Sequence, residues 1–89
     1  WWAQWRLLSG WTDTSPTQIQ FYEVSGDNNW WYLKTSEFAA DDSTFNPDKD
    51  WATSWYLYFD NDPAADADKA RLLNKMNKID ELFTKLEIF

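Results

Sequence analysis

The chain has no cysteine and no histidine, and only two glycines, three prolines and one methionine in 89 residues. Each shortage removes a class of chemistry. Without cysteine there is no disulfide framework, no thiolate nucleophile and no cysteine-ligated zinc. Without histidine the commonest general base and the commonest metal ligand are both gone. No apolar run approaches the length needed to cross a bilayer, so no membrane association is expected. No Gly-rich phosphate loop, nucleophile elbow or zinc signature is present. An enzyme is not expected, and no cofactor is implied.

What is abundant is aromatic and acidic. Eight Trp, six Phe and four Tyr make up 20% of the chain, and 15 acids against 8 bases give a net charge of -7. Each aromatic side chain can bury about 150–250 Å². Hiding all of them would crowd a domain of this size, so some aromatics near the surface are expected. The length fits a single domain over residues 1–89. The chain opens on Trp1 rather than Met, which suggests processing, trimming or excision from a longer chain. A surface rich in Asp, Asn, Ser and Thr leans toward a secreted or phage-associated protein.

Charge and tryptophan share one boundary. Residues 1–62 carry ten acids, three bases and all eight Trp, whereas residues 63–89 carry five acids, five bases and no Trp. The later segment reads as a helix. Asp62 can cap its first turn and Pro63 falls at the first helical position. Leu72, Met76, Ile79, Phe83 and Leu86 follow at heptad spacing, and Leu73 and Leu82 widen the stripe. Asp66–Lys69, Asp68–Arg71, Lys78–Glu81 and Glu81–Lys85 stand at ion-pair spacing. A continuous helix from 63 to 87 would be roughly 37 Å long, so one end should project or the helix should bend.

Before residue 63 the pattern suggests strands. Residues 18–25 alternate, the Gly26-Asp27-Asn28-Asn29 run supplies turn chemistry, and residues 30–35 resume an aromatic stretch. Residues 54–60 read as a third, central strand. Residues 5–11 read as a fourth, although Trp1, Trp5 and Leu8 also fit a short helix. Residues 12–17 and the acidic stretch 36–50 read as loops. The expected fold class is therefore α+β: a small antiparallel sheet of about four strands packed against one long C-terminal amphipathic helix.

The acidic groups offer few candidate sites. Asp41/Asp42, Asp48/Asp50 and Asp60/Asp62 are close pairs, but carboxylates in polar loops usually form turns and caps, and glycoside chemistry needs them at a fixed separation in a cleft. A helix-loop-helix calcium loop fails at its diagnostic positions, with Arg71 or Leu57 where Glu is required and Trp51 in the place of Gly. Direct nucleic-acid binding is disfavoured, because aromatic platforms need a basic track for phosphates.

Tryptophan gives the leading functional expectation. Adjacent strand residues face opposite sides of a sheet, so Trp30 and Trp31 cannot both be covered by one helix. The expected function is a non-catalytic binding or assembly module. It would use an exposed aromatic face of Trp30, Trp31, Tyr32, Trp55, Tyr56 and Tyr58, with a rim of Asp41, Asp42, Asp48 and Asp50. A protein partner or self-association is expected. An acidic inhibitor that occludes a basic partner is the alternative, and flat Trp faces also suit a carbohydrate.

Overall fold

The structure, a computed structural model, describes the backbone of residues 2–87 and side chains through residue 85. Four α-helices and one two-stranded antiparallel sheet make up its regular elements. In chain order they are α1 (Trp2–Leu8), β1 (Tyr22–Val24), β2 (Trp31–Leu33), α2 (Pro47–Phe59), α3 (Asp66–Arg71) and α4 (Leu73–Glu87). Single 3₁₀ turns cover Ile19–Phe21, Asp41–Thr44 and Pro63–Ala65. The expected sheet of four strands facing one long helix is therefore wrong. Two of its four strands are helices.

The largest correction is α2. Residues 54–60 are rich in residues that favour strands, yet the chain around them is helical because its start is strongly fixed. Asn46 takes an extended conformation, its side-chain oxygen accepts from the Lys49 N–H at 2.9 Å, and Pro47 occupies the first turn. Asp48 and Asp50 follow near the positive end of the helix dipole. Pro47, Asp50 and Ser54 form the buried stripe, so the helix turns small and polar residues inward. Its large aromatics flank that stripe instead of forming it.

α1 replaces the other expected strand, in line with the short-helix alternative read there; Trp1 lies outside the described residues. It ends in a Schellman arrangement, with Trp11 N–H to Arg6 carbonyl at 2.9 Å and Gly10 N–H to Leu7 carbonyl at 3.2 Å. Gly10 has φ +67°, and a methyl there would lie 2.5 Å from Leu33 Cγ. Only glycine satisfies both the turn and the close approach.

The hairpin forms where expected, though its strands are shorter. Tyr22 pairs with Leu33, Glu23 with Tyr32 and Val24 with Trp31. Asp27 organises the turn: its Oδ1 accepts from Ser25 Oγ at 2.7 Å and from the Asn29 N–H at 3.0 Å, and Asn28 takes φ 63°. On its other side β2 pairs with Thr12 through two backbone hydrogen bonds of 2.8 and 3.0 Å. The acidic stretch is only partly a loop, because it contains the 3₁₀ turn and the start of α2.

The C-terminal segment begins as read, with the Asp62 carboxylate accepting from Ala64 N–H at 3.0 Å and Pro63 in the first turn. It bends instead of running straight. Leu72, at φ -102° and ψ 33°, separates α3 from α4. Leu72, Met76 and Ile79 are buried as the heptad stripe requires, whereas Leu73 is exposed; the Leu86 side chain lies outside the described residues. Three expected ion pairs form: Asp68–Arg71 at 3.2 Å, Lys78–Glu81 at 3.2 Å and Glu81–Lys85 at 3.1 Å. Lys69 reaches the Asp60 carbonyl instead, at 2.6 Å.

The molecule is a slab only 18 Å thick, about two helix diameters. Such a slab holds a single buried layer. Trp5, Met76 and Ile79 form its centre, with Leu8, Trp51, Trp55, Leu57 and Tyr58 packed around it. No described helix is long and apolar enough to cross a membrane.

Candidate functional site

Two aromatic regions emerge from this packing. In the first, Trp11, Tyr32 and Phe38 meet with ring centroids 5.1 to 6.0 Å apart, and Trp30 joins Trp11 at 6.4 Å. Against them lies a buried ion pair, Lys75 Nζ to Asp50 Oδ1 at 2.7 Å. Asp50 also accepts from Trp11 Nε1 at 2.9 Å, and Lys75 also donates to the Glu37 carbonyl at 2.8 Å. The ammonium sits 4.1 Å from the Phe38 ring centroid and 5.7 Å from that of Trp5, a favourable cation–π position.

Burial dominates the protonation of this pair. It pushes the Asp50 carboxyl up, against the pull of Lys75, and pushes the Lys75 ammonium down, against the pull of Asp50. Both shifts mean that desolvation outweighs attraction. A lysine with a lowered pKa can act as a nucleophile, but this one is only 4% exposed and held on two oxygens. Its role is structural. It ties α2, α4, the segment before β1 and the stretch after β2 into one unit, and so fixes how α2 sits.

The second region is the outer face of α2. An aromatic ladder starts at buried Trp5, which meets Trp51 at 4.8 Å; Trp51 meets Trp55 at 5.1 Å, and Trp55 stacks on Phe59 at 5.4 Å and 21°. Phe59 then meets Phe83 of α4 at 5.6 Å. The ladder runs from the core to solvent. Tyr56 is 81% exposed and Phe59 52% exposed.

Two open hollows lie on either side of Tyr56 and Phe59. One, of about 710 Å³, is walled by those rings with Trp51, Ala52, Trp55 and Leu82. The other, of about 750 Å³, shares the same two rings, adds Leu57, and is rimmed by Asp60, Asp62 and Asp68, with Ala39 and Ala40 beside them. Helical periodicity brings this about: Ala52, Tyr56 and Phe59 recur at spacings of four and three, on the face away from Asp50 and Ser54.

The expected site residues divide between these regions. Trp30, Trp31 and Tyr32 are half-buried around the hairpin, away from the α2 hollows. Trp55 and Tyr56 do line a hollow, while Tyr58 turns inward and donates to Asp80 at 2.6 Å. Asp41, Asp42 and Asp48 are exposed. Asp50 is not on any rim, because it is fully buried beneath Trp11 and Lys75. The 3₁₀ turn that carries Asp41 and Asp42 is pinned to α2 by Ser43 Oγ and Thr53 Oγ1, 2.6 Å apart. Among the described residues, no group of three or more acids gathers as a metal site.

Phe59, Leu82, Asp60, Asp62 and Asp68 were absent from the expected site. A helical reading of residues 47–59 would have found Phe59, since it follows Trp55 and Tyr56 at four and three residues. No protein-family model, curated protein or solved structure matches the chain.

Proposed function

We propose that this domain is a non-catalytic protein-binding module whose contact surface is the aromatic face of α2. The observation that carries this reading is the open apolar hollow between Tyr56, Phe59, Trp51, Trp55, Ala52 and Leu82. Trp and Tyr are enriched among the hot-spot residues of protein interfaces, and an apolar hollow is where their counterparts lodge. Among the described residues, the buried Asp50–Lys75 pair, whose protonation burial shifts, is held away from contact with any substrate. That favours binding over catalysis.

A selection of short random peptides against the protein tests the reading, with Tyr56→Ala/Phe59→Ala as the counter-selecting variant. Peptides should emerge that bind the parent protein and lose about tenfold or more in affinity on the double variant. A selection that yields only peptides indifferent to the two rings would sink the proposal. Circular dichroism should show both proteins equally folded.

A further inference from the structure

We infer that the occupant of the α2 face is a basic amphipathic segment of another protein, placing an apolar anchor in one hollow and an arginine or lysine in the other. This rests on the binding-module reading and adds the chemistry of the partner. The central observation is that a single pair of side chains, Tyr56 and Phe59, forms a wall of both hollows. On one side of that wall every lining residue is aromatic or aliphatic. On the other side three carboxylates stand at the rim.

Those carboxylates are held ready by the backbone. Asp60 Oδ1 accepts from the Asp62 N–H at 2.9 Å and Asp62 Oδ1 from the Ala64 N–H at 3.0 Å. The second oxygen of each accepts nothing among the described residues. Asp68 Oδ1 is engaged by Arg71 at 3.2 Å, and Lys69 spends its ammonium on the Asp60 carbonyl. Neither cation lines the hollow. A guanidinium entering there meets carboxylates that can take it in a forked geometry, and the Tyr56 ring offers a face for stacking.

Charge selects between occupants. A second copy of this chain brings a net charge of -7 and its own acidic rim, so like charges oppose a symmetric contact on this face. Nucleic acid and anionic lipid are repelled for the same reason. A basic peptide is attracted at a distance and accelerated toward the face.

The test uses a fluorescein-labelled amphipathic helical peptide with a leucine stripe flanked by arginines, and a counterpart in which every arginine is glutamate. The leucine–arginine peptide should bind at least about tenfold more tightly than its counterpart. Asp60→Asn/Asp62→Asn/Asp68→Asn keeps the capping oxygens and should weaken the arginine peptide by about tenfold, the sum of three partly exposed charge contacts. Unchanged binding to that triple variant, or no binding of the arginine peptide, overturns the inference. If both peptides bind equally and both are lost on Tyr56→Ala/Phe59→Ala, the binding-module reading stands and the basic partner falls. If the arginine peptide binds but ignores the two rings, the binding-module reading falls as well.

Discussion

The cluster around Trp11 and the ladder along α2 are built from the same residue types and differ in what lies behind them. Trp11, Tyr32 and Phe38 close over a buried charge pair that bonds to Trp11 and to the Glu37 carbonyl. Trp55 stacks on Phe59, and Tyr56 and Phe59 stand open to solvent. Aromatic content therefore does not say whether a ring serves stability or contact. Its surroundings do: a ring that shields a desolvated charge is committed to the fold, whereas one exposed on the outer face of a helix remains available.

Lys75→Ala should break the first region most severely. It leaves the Asp50 carboxylate buried without its counter-ion, a loss of about 3–5 kcal/mol readable by urea denaturation. Asp50→Leu/Lys75→Met, which removes both charges, should recover most of that loss. If the double variant is as unstable as the single one, the pair is more than a desolvation problem. Trp11→Phe should cost less, about 1–3 kcal/mol, because one donor to Asp50 disappears while its ring contacts persist.

Tyr56→Ala should change stability by no more than about 0.5 kcal/mol, as for an exposed position, while impairing binding of a selected peptide. A large stability loss there would erase the contrast between the two regions.

The smallest effect concerns acid. The Ser25 hydroxyl and then the Asn29 N–H hold the half-buried Asp27 carboxyl below its ordinary value of 3.8. Its contribution is therefore present above that pH and is lost as the pH falls through the lowered value. The stability gap between the parent protein and Asp27→Ala should close as acid is added below about pH 4. Asp50 has the opposite sign: its carboxyl is raised, so the folded state binds that proton more readily than the unfolded chain and Asp50 does not drive acid unfolding. A gap that stays constant to low pH would show that Asp27 acts through turn geometry rather than charge.

Local signals were legible in the sequence. The Asp62-Pro63 start, the hairpin turn at Gly26 to Asn29 and three helix ion pairs follow from contacts within a few residues. Helix α2 is hidden in the sequence pattern, although Asn46-Pro47-Asp48 repeats the logic of Asp62-Pro63. The β preference of Trp, Tyr and Phe masked it, and its buried stripe of Pro47, Asp50 and Ser54 carries no apolar period. The Asp50–Lys75 pair spans 25 positions and has no local signature. One clue was available: Lys75 stands between Leu72 and Ile79 on the stripe that faces the core. The aromatic surface was thus expected from composition, but the element that bears it was misassigned.

The ladder from Trp5 to Trp55 has an optical consequence. Indoles whose centroids lie 4.8 and 5.1 Å apart exchange excitation energy efficiently, so light absorbed at the core ring Trp5 can be emitted from Trp55 on the wall of the hollow. The ladder works as an antenna: the protein's own ultraviolet fluorescence should register the arrival of a ligand on α2, without any label attached to it.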